Sequence, residues 1–371
     1  MKNNPKFVIS GGGTGGHIFP AIAIADALKR RFPEADILFI GAKGRMEMER
    51  VPKAGYPIEG LWISGLTKDA RALTLPLKLV SSLYNARRIL KRFQPDAVIG
   101  VGGFASGPTL KAANWLGIPT VIQEQNSYPG KTNRNVGHKA KAICVAYDHM
   151  EQWFPADRIH LTGNPLRANI AANAPREEAA RFFSLDPEKP IVLLVGGSQG
   201  ALGINKGISA QLKAFKDNEM QLIWQTGKTY ITQAQAEVKA LGIENKVKPV
   251  VFIDRMDLAY SAADVVISRA GAIAISELSL VQKPVIFVPL PTAAEDHQTK
   301  NAQRLVDAEA ALMVKNAETE TALVPALLKL LNEPETQAKM RTNIGKFARP
   351  NAAEDIVNVI INEIPLSGKG K

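Results

Sequence analysis

The sequence predicts an α/β protein of two Rossmann-like parallel-sheet domains. Three observations carry this. Short apolar runs alternate with amphipathic stretches along almost the whole chain, and strands that are apolar on both faces, with helices between them, belong to parallel sheets covered on both sides. At 371 residues the chain exceeds one typical domain. The chain also echoes itself: "FVISGGGTGGHIFPAIAIADAL" at 7–28 returns as "IVLLVGGSQGALGINKGISAQL" at 191–212, each a strand, a glycine-rich turn and a helix.

The elements follow in order. Runs such as "KFVIS", "ILFIG" and "AVIGV" predict strands at 6–10, 37–41, 97–101, 119–123 and 142–146 in the first half. Runs of the same kind predict strands at 191–195, 221–225, 249–252, 264–267 and 284–288 in the second. Helical periodicity fills most gaps, at 19–31, 77–92, 107–116, 202–216, 229–241, 272–281 and 298–307. Residues 162–183 read as the connection between domains, and "FARPNAAEDIVNVIINEI" holds a last helix after Pro350. The tail "PLSGKGK" is expected to be disordered.

Composition narrows the function. With 46 Lys and Arg against 35 Asp and Glu, the net charge is +11, which predicts an anionic partner. Aromatic residues are only 6% and no nucleic-acid-binding motif occurs, so nucleic acid is not expected. The single cysteine, Cys144 in "AICVAY", excludes an intrachain disulfide framework and reads as a buried hydrophobe. The start "MKNNPKFVIS" is too short in its apolar run for a signal peptide. No stretch approaches the ~18 apolar residues of a membrane span. A cytoplasmic protein is expected.

Four glycine-rich turns each follow a predicted strand: "GGGTGGH" at 11–17, "GGFASGP" at 102–108, "GGSQGA" at 196–201 and "SRAGA" at 268–272. A helix N-terminus offers unpaired N–H groups and a positive dipole end, and glycines let a ligand approach the backbone. In parallel α/β sheets such turns line the edge where ligands bind. The first turn lacks the G-K-[ST] ending of a P-loop. Gly11, Gly13 and Gly16 fit the dinucleotide spacing, but that motif needs an acid at the end of the second strand. Here the strand ends in Ile40-Gly41, and Asp36 stands at the wrong end. In the second half, Glu277 falls one to two turns into the helix after "SRAG", placed to accept ribose hydroxyls while phosphates sit at the helix start. Asp296, His297 and Gln298 open a later helix with groups suited to a sugar. No D-x-D occurs, and the five histidines show no metal-ligand spacing, so no metal and no cofactor is expected.

Taken jointly, "GGTGGHIFPAIAIA", "GGFASGP", "QEQNSYPGKTNR", "GNPLR", "GGSQGALGIN", "SRAGAIAISEL" and the "DHQTKNA" helix resemble the MurG family of peptidoglycan N-acetylglucosaminyltransferases, over Gly12 to Ala302. The resemblance implies a GT-B fold, two domains facing across a cleft. It implies an N-terminal acceptor and membrane-facing domain at 1–164 joined by a last helix at about 347–364, and a UDP-GlcNAc-binding domain at 165–346. The implied reaction is inverting transfer of N-acetylglucosamine from UDP-GlcNAc to lipid I, giving lipid II at the cytoplasmic face of the membrane. Other cell-wall enzymes are implied as further partners. By motif matching the donor-binding residues are Thr14, Gly15, Gly16, His17, Asn126, Arg167, Ser198, Ile253, Gly271, Ala272, Glu277 and Gln298, and the general base is His17 or Glu124. Two positions depart from the family: Phe104 stands where tyrosine is frequent, and Gln123 where histidine is, so neither carries a proton here. The stretch 73–93, "LTLPLKLVSSLYNARRILKRF", interleaves five basic residues with apolar ones and contains no acid. An anionic membrane surface attracts such a stretch. Three rivals are weaker: a UDP-sugar transferase acting on another lipid such as diacylglycerol, a sugar-nucleotide epimerase, and a non-catalytic sugar-nucleotide sensor.

Overall fold

The apolar runs pair as parallel strands in two separate sheets. The structure, a computed structural model, describes residues 4–64, 74–167, 170, 174–197, 200–293 and 296–366. The first unit comprises residues 1–167 and 349–371, and the second 168–348.

The first unit runs β1 (Lys6–Gly11), α1 (Gly15–Arg31), β2 (Asp36–Ala42), α2 (Glu47–Lys53), β3 (Ile58–Leu61), α3 (Leu75–Phe93) and β4 (Ala97–Gly102). It continues with α4 (Ser106–Trp115), β5 (Thr120–Glu124), α5 (Lys131–Gly137), β6 (Ala142–Val145) and β7 (Ile159–Leu161). The second unit runs α6 (Arg176–Phe182), β8 (Ile191–Val195), α7 (Leu202–Ala210), α8 (Lys213–Asp217), β9 (Gln221–Gln225), α9 (Ile231–Leu241), β10 (Val247–Val250) and α10 (Met256–Ala262). It closes with β11 (Val265–Ser268), α11 (Ala272–Val281), β12 (Val285–Phe287), α12 (His297–Asp307), β13 (Leu312–Met313), α13 (Thr319–Leu331) and α14 (Pro334–Gly345), after which α15 (Ala352–Glu363) returns to the first unit.

The first sheet has the order β3-β2-β1-β4-β5-β6-β7 and the second β10-β9-β8-β11-β12-β13. Each order reverses direction once, between β1 and β4 and between β8 and β11. A ligand site forms outside the carboxyl ends of the strands at such a switch point. The four glycine turns leave β1, β4, β8 and β11, two at each switch point. Across the first, Gly11 lies opposite Gly102.

Both sheets are covered on both faces. Along β1, Phe7 and Ile9 point into a core shared with Ile18, Ile24 and Leu28 of α1 and with Ile356 and Ile360 of α15. Val8, between them, faces the opposite core with Leu90 of α3 and Leu110 of α4. Period-2 alternation is thus present but hidden, because neither face meets water. In the second unit β8 divides likewise, Leu193 to one core and Val192 to the other.

Three short strands are not legible: β3, β7 and β13 have four, three and two residues and lie at sheet edges, outside the longer apolar runs that reveal the equally short β6 and β12. The strand expected at 249–252 lies at Val247–Val250. It is the edge strand of its sheet, where the missing N–H of Pro249 costs no ladder bond. The helix expected at 202–216 divides into α7 and α8, because Gln211 leaves helical geometry at φ −129° and its amide donates to Glu320 O (2.6 Å). Helix α1 begins at Gly15, four residues before its expected start, which puts His17 inside its first turn.

Candidate active site

In the first unit the site starts from two glycine loops that touch. A Cβ on Gly103, at φ +87°, would stand 2.1 Å from Gly12 O. One on Gly102, at φ +92°, would stand 2.9 Å from His17 Nε2. Only glycine satisfies both the sign of φ and the space. Thr14 is the N-cap of α1, and its carbonyl accepts from His17 N (3.1 Å) and Ile18 N (3.2 Å). The Thr14 hydroxyl turns to His17 Nδ1 at 3.1 Å, which fixes the ring. No acidic side chain occupies the first turn of α1, so the positive end of its dipole is left for a ligand. Burial pulls the His17 pKa down to about 4, so the imidazole is neutral at neutral pH and able to accept a proton. Arg167 lies with its guanidinium 4.5 Å above the ring of Phe19, on the same end of α1.

Glu124 ends β5, buried, and both carboxylate oxygens accept hydrogen bonds. Oε1 takes Asn126 N (3.0 Å) and Asn126 Nδ2 (3.2 Å). Oε2 takes Gly130 N (3.1 Å) and Asn133 Nδ2 (2.8 Å). Burial raises its pKa while these donors oppose the rise. The carboxylate thereby shapes the loop that carries Asn126. Gln123 is fully buried, and its amide donates to Asn164 Oδ1 (3.1 Å), while Asn164 donates to Gln125 O (3.2 Å). Phe104 is exposed and its ring sits beside Gly13.

In the second unit α11 opens at Gly271, its N-cap, with open space where a Cβ would stand and no acid in the first turn. Ala272 is the first helical residue, and Glu277 follows in the second turn, buried, accepting from Tyr260 OH at 2.9 Å. Arg269 donates to Val288 O (2.9 Å) and Pro289 O (3.0 Å), tying the turn to the end of β12. Burial lowers its pKa to about 10, which still leaves it charged. Gln298, in the first turn of α12, accepts from Leu290 N (2.9 Å). Ile253 is buried beyond β10, and its N–H donates to Gln225 Oε1 (3.3 Å). Gln225 Nε2 in turn reaches Gly197 O (2.6 Å). One buried amide therefore joins Ile253 to the loop "GGSQGA". Ser198, in that loop, lies outside the described residues.

The glycosyltransferase family 28 N-terminal domain matches residues 7–145 and its C-terminal domain residues 191–356. The chain belongs to glycosyltransferase family 28. A relative in Phocaeicola vulgatus, named UDP-N-acetylglucosamine--N-acetylmuramyl-(pentapeptide) pyrophosphoryl-undecaprenol N-acetylglucosamine transferase, is 52% identical over 98% of this chain and 96% of its own. A relative of the same name in Bacteroides thetaiotaomicron is 50% identical over 97% and 98%. Among solved structures, MurG of Acinetobacter baumannii superposes with a TM-score of 0.74 at 29% identity, covering 97% of this chain and 100% of its own. A UDP-GlcNAc 2-epimerase from Neisseria meningitidis shares the fold at a TM-score of 0.68 and 16% identity.

In this family 28 chain the structure gathers Thr14, Gly15, Gly16, His17 and Arg167 at the start of α1, with Glu124 and Asn126 at the end of β5. In the second unit Gly271, Ala272 and Glu277 share α11, while Ile253 follows β10 and Gln298 lies in the first turn of α12 after β12. Sequence reasoning missed the residues that hold these in place. Asn133, Asn164, Gln225, Tyr260 and Glu47 are buried side chains whose hydrogen-bond partners lie on other elements of the chain. Asn133 and Asn164 stand inside "QEQNSYPGKTNR" and "GNPLR" and Gln225 ends a predicted strand, while Glu47 and Tyr260 carried no such signal.

Proposed function

We propose that this chain transfers N-acetylglucosamine from UDP-GlcNAc to lipid I, with inversion, to give lipid II. The observation that carries the reading is the match to relatives of that activity at 50–52% identity over nearly the whole of both chains. The site chemistry supports it. The start of α11 and Glu277 suit a nucleoside diphosphate, with phosphates at the dipole end and ribose hydroxyls on the carboxylate. The start of α1 suits a diphosphate-bearing substrate, with His17 as general base for the acceptor hydroxyl. The acceptor oxygen attacks C1 of the sugar, the bond from C1 to the diphosphate oxygen breaks, UDP leaves with the electron pair, and the hydroxyl proton passes to His17. Backbone N–H groups at Gly271–Ala272 stabilise the charge that develops on the leaving diphosphate. Glu124 acts by holding Asn126 in place. The test is acceptor selectivity: UDP is released from UDP-GlcNAc in the presence of lipid I and not of diacylglycerol. Release with diacylglycerol alone would assign a different lipid glycosyltransferase.

The absence of D-x-D beside two helix starts makes the transfer independent of divalent metal at the donor. Excess EDTA should leave the initial rate within about twofold, a difference worth less than 1 kcal/mol of barrier. Loss of activity restored only by Mg²⁺ or Mn²⁺ would contradict this.

The acceptor's lipid places the chain at a membrane surface. No helix among the described residues is long and apolar enough to cross a membrane. On α3, Leu77 (66% exposed), Val80 (66%) and Tyr84 (69%) form an apolar stripe at helical spacing, continued by exposed Arg87, Arg88 and Lys91. Trp62 lies near it, with Lys78 Nζ 5.8 Å from its ring centroid. The opposite side of α3, Ser82, Ala86, Ile89 and Leu90, is buried. Arg92 is paired with Glu59 from β3, an acid that the stretch itself does not contain, so it offers less to a lipid headgroup. Residue 73 lies outside the described residues. A basic residue near an anionic surface strengthens binding about fivefold. Changing Arg87, Arg88 and Lys91 to glutamine should weaken binding to anionic vesicles by on the order of a hundredfold. Vesicle co-sedimentation indifferent to these changes and to salt would remove α3 from the membrane.

A further inference from the structure

Glu47 is the first residue of α2, far in sequence from either glycine loop of the first unit, and it is buried at 1% exposure. Its carboxylate reaches beneath the first loop. Oε2 accepts from Gly13 N at 2.9 Å and Oε1 accepts from Ala42 N, at the end of β2, at 2.9 Å. The backbone around it is cut to fit. A Cβ on Gly12 would stand 2.2 Å from Oε1, and one on Gly41 would stand 2.6 Å from Cγ of Glu47. The carboxylate fills the room that two missing side chains leave.

We infer that Glu47 is a positioning residue for the transfer: it clips the loop Gly11–Gly16 to the end of β2 and so sets Thr14 and His17 at the start of α1. The inference rests on the reading of His17 as the base. Two consequences follow from the geometry. The Gly13 N–H is turned inward to Glu47, so the loop presents a ligand with the N–H groups of the α1 start and not with that of Gly13. The ring of His17 is held by Thr14, and Thr14 follows directly on the clipped residue. A loop free to move by an ångström would misplace the base, and misplacement of that size costs up to about a hundredfold in rate.

Both oxygens accept from backbone N–H groups, so Glu47→Gln keeps the shape but turns one donor NH₂ against another donor. The expected result is a kcat lowered by about tenfold to a hundredfold, with a smaller change in the Kd for UDP-GlcNAc and Glu47→Asp intermediate. In ¹⁵N-glycine-labelled protein, the Gly13 amide should exchange slowly in the unmodified chain and faster in Glu47→Gln. A folded Glu47→Gln protein with unchanged kcat would overturn the inference. So would a Kd for UDP-GlcNAc that rises by as much as kcat falls, with a lowered melting temperature, which is what a merely structural residue gives. If Glu47→Gln does not fold, the exchange of Gly13 in the unmodified protein decides, and exchange at the rate of an open chain overturns the clip. That measurement needs no acceptor, so it stands apart from any failure to transfer sugar to lipid I, which would overturn the proposed function instead.

Discussion

His17→Ala lowers kcat by roughly 10²–10⁴, the usual share of a general base, while the Kd for UDP-GlcNAc changes little. The expectation follows from a neutral ring at the start of α1, fixed through Nδ1 by Thr14, with Nε2 beside Gly102. The pH dependence sharpens it. Because burial depresses the pKa of His17 to about 4, the base is available above that pH and is lost as the pH falls through it. The acid limb of kcat/KM for the unmodified enzyme should therefore lie well below the ordinary histidine range near 6.5. Glu124 provides the control. It already accepts four hydrogen bonds, and Glu124→Gln should act by loosening the loop of Asn126. Single-turnover rates at saturating donor and acceptor separate the two. Near-normal chemistry in His17→Ala with chemistry lost in Glu124→Gln would move the base to Glu124.

Glu277→Ala raises the KM for UDP-GlcNAc by about tenfold to a hundredfold, as expected when a hydrogen bond to a charged group worth ~1.5–3 kcal/mol is removed. The carboxylate is buried in the second turn of α11 with Tyr260 on Oε2, so its orientation is set before any ligand arrives. Tyr260→Phe should show a smaller rise of the same kind, since it frees the carboxylate without removing it. Donor titration by calorimetry, with melting temperature as the control for folding, is the measurement. Unchanged donor affinity in a folded Glu277→Ala protein would take Glu277 out of the site.

The long elements of the fold and the glycine loops of the candidate site could be read from the chain, because buried parallel strands are largely apolar and glycine loops announce themselves. What could not be read is of two kinds. Edge strands such as Leu312–Met313 are too short for any pattern. The buried polar residues that aim the site carry no local signature: Glu47 looks like any first-turn glutamate until β2 and the loop after β1 are brought over it. Gln225 joins Gly197 to Ile253 across 28 residues in either direction, a bridge that exists only once β8, β9 and β10 lie side by side. Arg92 of α3 shows the same limit on the surface, since its partner Glu59 comes from β3. Sequence puts forward the groups proposed to touch a ligand, and the fold shows those that hold them.

The most direct measurement supplies the protein with UDP-GlcNAc labelled in the sugar, lipid I and excess EDTA, then follows the label and the anomeric configuration of the product. The account predicts label in the lipid fraction, one UDP released for each sugar transferred, and a β-linked sugar from the α-linked donor. Label that stays in the aqueous fraction, or a lipid product with the α linkage retained, would contradict it.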